Sequence, residues 1–172
     1  MKSAASGTSG SKACATAGSP PPTTRRKLLL AAFCALCLVN QANWISAAPI
    51  KDDVSSFFAI SGEWVDALST CYMLVYIMGF LPVTSLLQVH GLEAGLRTSA
   101  ILNCAGAFLR WFSTLGVHSF PVAMIGQAIC AGSQVINFSC VGTLSRTYFP
   151  AESSQVIGII WALTYLGVAF GL

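Results

Sequence analysis

The sequence predicts an all-α polytopic membrane helix bundle, and three observations carry that reading. Of 172 residues, 55% are hydrophobic and only 9% charged, whereas a soluble domain carries roughly a quarter charged residues. Low charge with a mean hydropathy of +0.70 also excludes a disordered, solvating chain. The few charges act as punctuation. No Lys, Arg, Asp or Glu occurs between Lys27 and Lys51, Asp66 and Glu93, or Arg110 and Arg146, nor after Glu152. A hydrocarbon core of about 30 Å needs ~20 apolar residues in a helix, so each gap can hold a span. Irregular backbone is not tolerated against lipid, which makes the spans helical.

The first element is a tail. Residues 1–27 are rich in Ser, Thr, Gly, Ala and Pro and end in Pro20-Pro21-Pro22-Thr23-Thr24, a composition that reads as a flexible cytoplasmic segment. An organellar transit peptide is the rival, because no acidic residue precedes Asp52. Five helices follow, at 28–50, 65–87, 96–115, 120–144 and 153–172. Arg110 lies inside the third, near one end, where its stem can snorkel to the headgroups; the neighbouring Trp111 suits an interfacial anchor. Pro49 and Pro82 can end or kink the first and second spans. Ala128-x-x-x-Gly132 and Gly167-x-x-x-Gly171 let helix backbones approach closely.

Orientation follows from Lys and Arg. A cytoplasmic amino terminus puts Lys2, Lys12, Arg25, Arg26, Lys27, Arg97 and Arg146 on that side and leaves Lys51 and Arg110 outside, as the positive-inside rule requires. The expected location is the plasma membrane, with an organellar membrane as the alternative.

Several functions are excluded by what the residues lack. Five of the nine basic residues crowd before position 28, which is no nucleic-acid footprint. His90 and His118 lie at opposite ends of the third span and cannot share a site. No nucleophile motif, metalloprotease helix, phosphate loop or dinucleotide fingerprint is present, so an enzyme is not expected. Nor is a metal or cofactor, since Cys34-x-x-Cys37 has zinc-like spacing but no second pair or nearby His. The Asn137-Phe138-Ser139 glycosylation triplet falls inside a span and is unreachable.

What the spans do carry is polar groups that lipid would not tolerate alone. Asn40 and Trp44 share a face of the first helix; Tyr72 and Tyr76 repeat that spacing on the second. Gln127 and Gln134 stand two turns apart on the fourth. Each taken alone reads as interhelical glue; together they suggest polar faces turned to a shared cavity.

These residues sit in runs that resemble a known group. Leu38-Val39-Asn40 with Trp44-Ile45, and Leu68-Ser69 with Tyr72-Met73-Leu74 and Tyr76, are similar to the feline leukaemia virus subgroup C receptor-related branch of the major facilitator superfamily, a heme and choline transporter family. So are Leu102-Asn103-Cys104 with Gly106-Ala107, Gly126-Gln127 with Gln134-Val135, and Ser145-Arg146 with Tyr148-Phe149. The likeness runs in register from about Arg25 to the end. One departure stands in the loop between the second and third spans: Gln88 replaces an expected Asp, and His90 and Glu93 stand where basic residues are usual, around a retained Gly91.

The resemblance implies twelve helices in two halves with the substrate held between them. This chain would then be a truncated product covering most of the amino-terminal half, and the missing carboxy-terminal half would be needed for transport. It also implies a choline-like organic cation as substrate, with Trp44 as the aromatic wall for the ammonium and Gln134 reaching the substrate hydroxyl. Asn40, Gln127 and Tyr76 would be secondary lining. An ammonium held on an aromatic face gains about 0.5–2 kcal/mol. The spans' interiors contain no carboxylate, so facilitated diffusion is favoured over proton coupling. Heme is the competing substrate, with Cys71, Met73 or Met78 as conceivable axial ligands. A non-transporting five-helix membrane scaffold is the rival from another class. It explains the small-residue spacings but not amides and an indole at buried depth.

Overall fold

The computed structural model describes residues 23–117 and 119–172, so most of the expected tail and His118 lie outside the described residues. Five α-helices are present: α1 Thr23–Ile45, α2 Lys51–Phe58, α3 Gly62–Phe112, α4 Phe120–Tyr148 and α5 Ser153–Gly171. A π-helical turn, Ser113–Val117, ends α3. Four of the helices are long and apolar enough to cross a membrane.

α1 starts at Thr23 and ends at Ile45, both five residues before the expected 28–50. Thr23–Lys27 are helical and belong to α1 rather than to the tail. Arg26 is pinned there: its guanidinium donates to the Tyr148 carbonyl at 3.0 Å and lies 5.9 Å over the Phe149 ring. At the other end, Pro49 disfavours helix in the residue before it. The released segment forms α2, a short helix absent from the sequence reading, whose Val54 and Phe58 share one face while Asp52 and Asp53 are exposed.

The expected second and third spans appear as the single 51-residue α3. At 1.5 Å per residue a straight helix of that length would run about 75 Å, more than twice a hydrocarbon core. Gly91 solves this. Its φ of 80° and ψ of 167° are non-helical, a combination open essentially to glycine alone. The contacts with α4 reveal a hairpin. Along the first limb, Leu68 meets Gln127 and Gly79 meets Val135. Along the second limb the order reverses: Gly95 meets Ile136 and Cys140, whereas Gly106 meets Gly126 and Cys130. Pro82 does not interrupt the helix. α4 continues one turn past the expected Leu144, and α5 agrees with its expected range within one residue.

α4 is the central helix of the described bundle, buried along most of its length. Its close approach to α3 occurs at Gly106 and Gly126, not at the expected Ala128 and Gly132. A Cβ on Gly106 would stand 2.6 Å from the Gly126 carbonyl oxygen, while Gly132 has only a Leu102 methyl at 3.9 Å. The Gly167 and Gly171 spacing does act as expected, letting α5 lie against the α1 backbone at Leu38 and Ala42. Cys34 and Cys37 face inward, packed with Ile136, Cys140, Leu144 and Ile160.

Polarity is arranged inside out. Ile77, Leu81, Val89 and Phe170 are each more than 70% exposed, whereas Asn40, Ser99, Gln127 and Asn137 are 1% exposed or less. Water would penalise that distribution; lipid favours it, because apolar side chains face hydrocarbon while polar groups pair across helices.

Candidate functional site

Trp44 sits in the last turn of α1, where helix geometry leaves four carbonyls without intrahelical donors. All four are satisfied. The Ala42 and Ile45 oxygens accept from the Ser46 and Ala48 amides at 3.1 and 2.9 Å. The Asn43 oxygen accepts from Arg110 Nη1 at 2.8 Å, and the Trp44 oxygen from Gln127 Nε2 at 3.3 Å. Arg110 Nη2 also donates to Ser46 Oγ at 2.8 Å. Arg110 therefore does not reach away to headgroups as expected. Its positive charge complements the negative end of the α1 dipole, a favourable placement for a cation.

The indole of Trp44 is fixed from a third direction. Its N–H donates to the Ser69 carbonyl at 3.0 Å, and the fully buried Tyr72 ring lies 6.3 Å away at an interplanar angle of 34°. Three separate segments thus set where Trp44 stands: the first limb of α3 through Ser69, the second limb through Arg110, and α4 through Gln127. The side chain is partly buried, packed against the cluster of Tyr72, Cys130 and Ala131.

The five candidate residues separate into two groups. Asn40 and Gln127 are joints between helices. Asn40 Nδ2 donates to Asn103 Oδ1 at 2.9 Å and to the Cys130 carbonyl at 3.0 Å. Gln127 Nε2 is shared between the Trp44 and Leu68 carbonyls. In both, the amide oxygen is buried without a partner among the described residues. Gln134, also buried, makes no hydrogen bond through its amide among the described residues. Tyr76 belongs to an aromatic row, with Phe80 at 5.7 Å, Phe138 at 5.9 Å and Trp161 next to Phe138 at 4.9 Å.

Some residues escaped sequence reasoning. Ser99 is hydrogen-bonded to Ser133 and to Asn137 Oδ1, a third polar joint on α4 below those at Gln127 and Cys130. The signal was available in part: 127, 130, 134 and 137 follow helical spacing. Phe138 and Trp161 left no such signal, because they come from different helices.

Other expectations find no assembled site. Met73 and Met78 are exposed on α3, and Cys71 donates to the Leu68 carbonyl. No group of three or more His, Cys, Asp and Glu able to hold a metal occurs among the described residues. Beside Gly91, Glu93 pairs with Arg97 one turn on, at 2.6 Å, and His90 Nδ1 contacts the Leu86 carbonyl.

The chain is similar to choline/ethanolamine transporter FLVCR2 of Rattus norvegicus, with 36% identity over 135 residues, 78% of this chain and 24% of that protein. Choline/ethanolamine transporter FLVCR1 of Felis catus is 33% identical over 78% of this chain and 24% of its own length. The uncharacterized MFS-type transporter C09D4.1 of Caenorhabditis elegans is 34% identical over 77% and 22%. No protein-family profile matches the chain. It spans about a quarter of the length of the curated relatives it matches. Shared sequence across nearly four fifths of the chain, together with an all-helical membrane bundle, shows that this multi-pass membrane chain belongs to the feline leukaemia virus subgroup C receptor-related family of the major facilitator superfamily.

Proposed function

We propose that this chain forms one wall of a transporter for a small organic cation of the choline or ethanolamine class, working by facilitated alternating access in the plasma membrane. The remaining wall belongs to the greater part of the relatives' length, which this chain does not span. Trp44 supplies an aromatic face for the ammonium. The supporting observation is its mounting: an indole tethered to the Ser69 carbonyl and backed by Tyr72, yet only half-buried. A trimethylammonium group makes no ordinary hydrogen bonds, so a prepositioned π face is the contact open to it. Gln134 and Tyr76 are the secondary lining. The uncommitted amide of Gln134 suits a solute hydroxyl, whereas Asn40 and Gln127 serve mainly to hold the wall in place.

The test is uptake of labelled choline by the full-length transporter carrying Trp44→Ala. Uptake should fall to background while the protein still reaches the membrane. Unchanged uptake removes Trp44 from the site. Heme is the second reading from family resemblance, and the same variant distinguishes it: heme flux that survives Trp44→Ala while choline is never carried favours heme. A protein that carries neither solute supports the scaffold.

A further inference from the structure

A cleft of about 400 Å³ lies under α2, away from Gln134. One wall is apolar, with Ile50, Val54, Phe58 and Leu68; the other carries Asn43, Ser46, Ser113 and Thr114 around Arg110. Arg110 is the single charged residue lining it. Ala107 and Ala123 leave the space open by being small.

Charge bookkeeping singles out this guanidinium. An arginine has five N–H donors. Arg110 spends one on the Asn43 carbonyl and one on Ser46 Oγ, both uncharged oxygens. The other three are uncommitted among the described residues. The nearby acids do not complete it: Asp66 is paired with Lys51 at 2.6 Å, and Asp52, Asp53 and Glu63 are exposed and do not line the cleft. Arg110 is thus a partly buried cation with donors to spare, beside an apolar wall and with no carboxylate lining the cleft.

We propose that this cleft binds an amphiphilic anion bearing a phosphate, whose oxygens meet the free N–H groups of Arg110 while its apolar part lies against Val54 and Phe58. Guanidinium–phosphate hydrogen bonds are charge-assisted and directional. The apolar wall is what makes a phospholipid headgroup with its chain a better fit than free phosphate, and both carry the same anion chemistry. The site is separate from the Trp44 wall, although both rest on the last turn of α1.

The test compares the wild-type full chain with Arg110→Gln and Ala107→Phe, each purified in detergent. The first variant removes the charge but keeps an amide donor for α1; the second fills the cleft and leaves Arg110 in place. Native mass spectrometry with added phosphatidylglycerol reads retained lipid, and thermal unfolding with inorganic phosphate against chloride at equal ionic strength reads a free anion. Lipid retention should fall about tenfold or more in both variants, the scale expected when charge-assisted bonds are lost. Stabilisation by inorganic phosphate alone, lost in Arg110→Gln, would support the anion site with a soluble source. Equal lipid retention and equal phosphate response in all three proteins would overturn it. Should Arg110→Gln fail to fold, Ala107→Phe still decides.

Discussion

Asn40 and Gln127 differ from Gln134 in what their polar atoms already hold, and on the proposed function that difference separates stability from substrate recognition. Each interhelical hydrogen bond in a membrane contributes about 1 kcal/mol or less. Gln127→Ala removes two donors and leaves the Trp44 and Leu68 carbonyls short, so thermal unfolding in detergent should show a loss of about 1–2 kcal/mol. Gln134→Ala breaks no such bond. It should leave the unfolding temperature nearly unchanged and raise the KM for choline in uptake measurements. Trp44→Phe is informative between them, since it keeps a π face and loses the tether to Ser69. Residual choline uptake above that of Trp44→Ala is expected. The residue types at these positions were legible in the sequence. Which of their amides are committed to hydrogen bonds was not, because an amide looks the same whether its donors are spent or free.

Two arginines close two helix ends, one at each face of the bundle. Arg26 meets the last turn of α4 and Arg110 the last turn of α1, so each cation lies where the helix dipole is negative. Spacing alone suggested a snorkelling Arg110; the partner it found is an α1 carbonyl 67 residues away in sequence. The hairpin of α3 depends on Gly91. With φ at 80° a Cβ is strained even though nothing lies within 4 Å of it. Gly91→Ala should therefore destabilise the fold by about 1–3 kcal/mol through backbone conformation alone, read as a lower unfolding temperature in detergent. Gly167→Val acts differently, since its side chain meets the Leu38 backbone. It should separate α5 from α1, with a larger loss of stability than at Gly91. Where apolar helix occurs was readable from the charge gaps; that the second and third expected spans join as α3, and that the eight-residue α2 precedes them, was not.

Across the whole molecule, polar joints at three depths run along α4 while apolar side chains cover the outside. This arrangement suits a wall that must hold its shape in lipid while carrying polar groups within. For the proposed transport of an organic cation we expect membrane potential rather than protons to drive uptake, since the interiors of these spans hold no carboxylate. A potential of 100 mV acts on one charge with about 2.3 kcal/mol, roughly a fiftyfold equilibrium accumulation. In proteoliposomes of the full-length transporter, choline uptake should follow an imposed potassium diffusion potential. Collapsing a pH gradient at constant potential should leave it unchanged, and proton-dependent uptake would contradict that expectation.

By itself the sequence determined that the chain crosses a membrane repeatedly, because hydrocarbon excludes charge and the gaps between charges measure its thickness. It also determined the family, through short runs kept in register. Tertiary structure decided the rest. Only packing shows that α3 doubles back along α4, that Gly106 and Gly126 make the close contact, and that Arg110 and Gln127 finish the end of α1. The reason is physical: lipid burial acts on one segment at a time and is written in composition, whereas a hydrogen bond between helices depends on which groups arrive within 3 Å or so of each other.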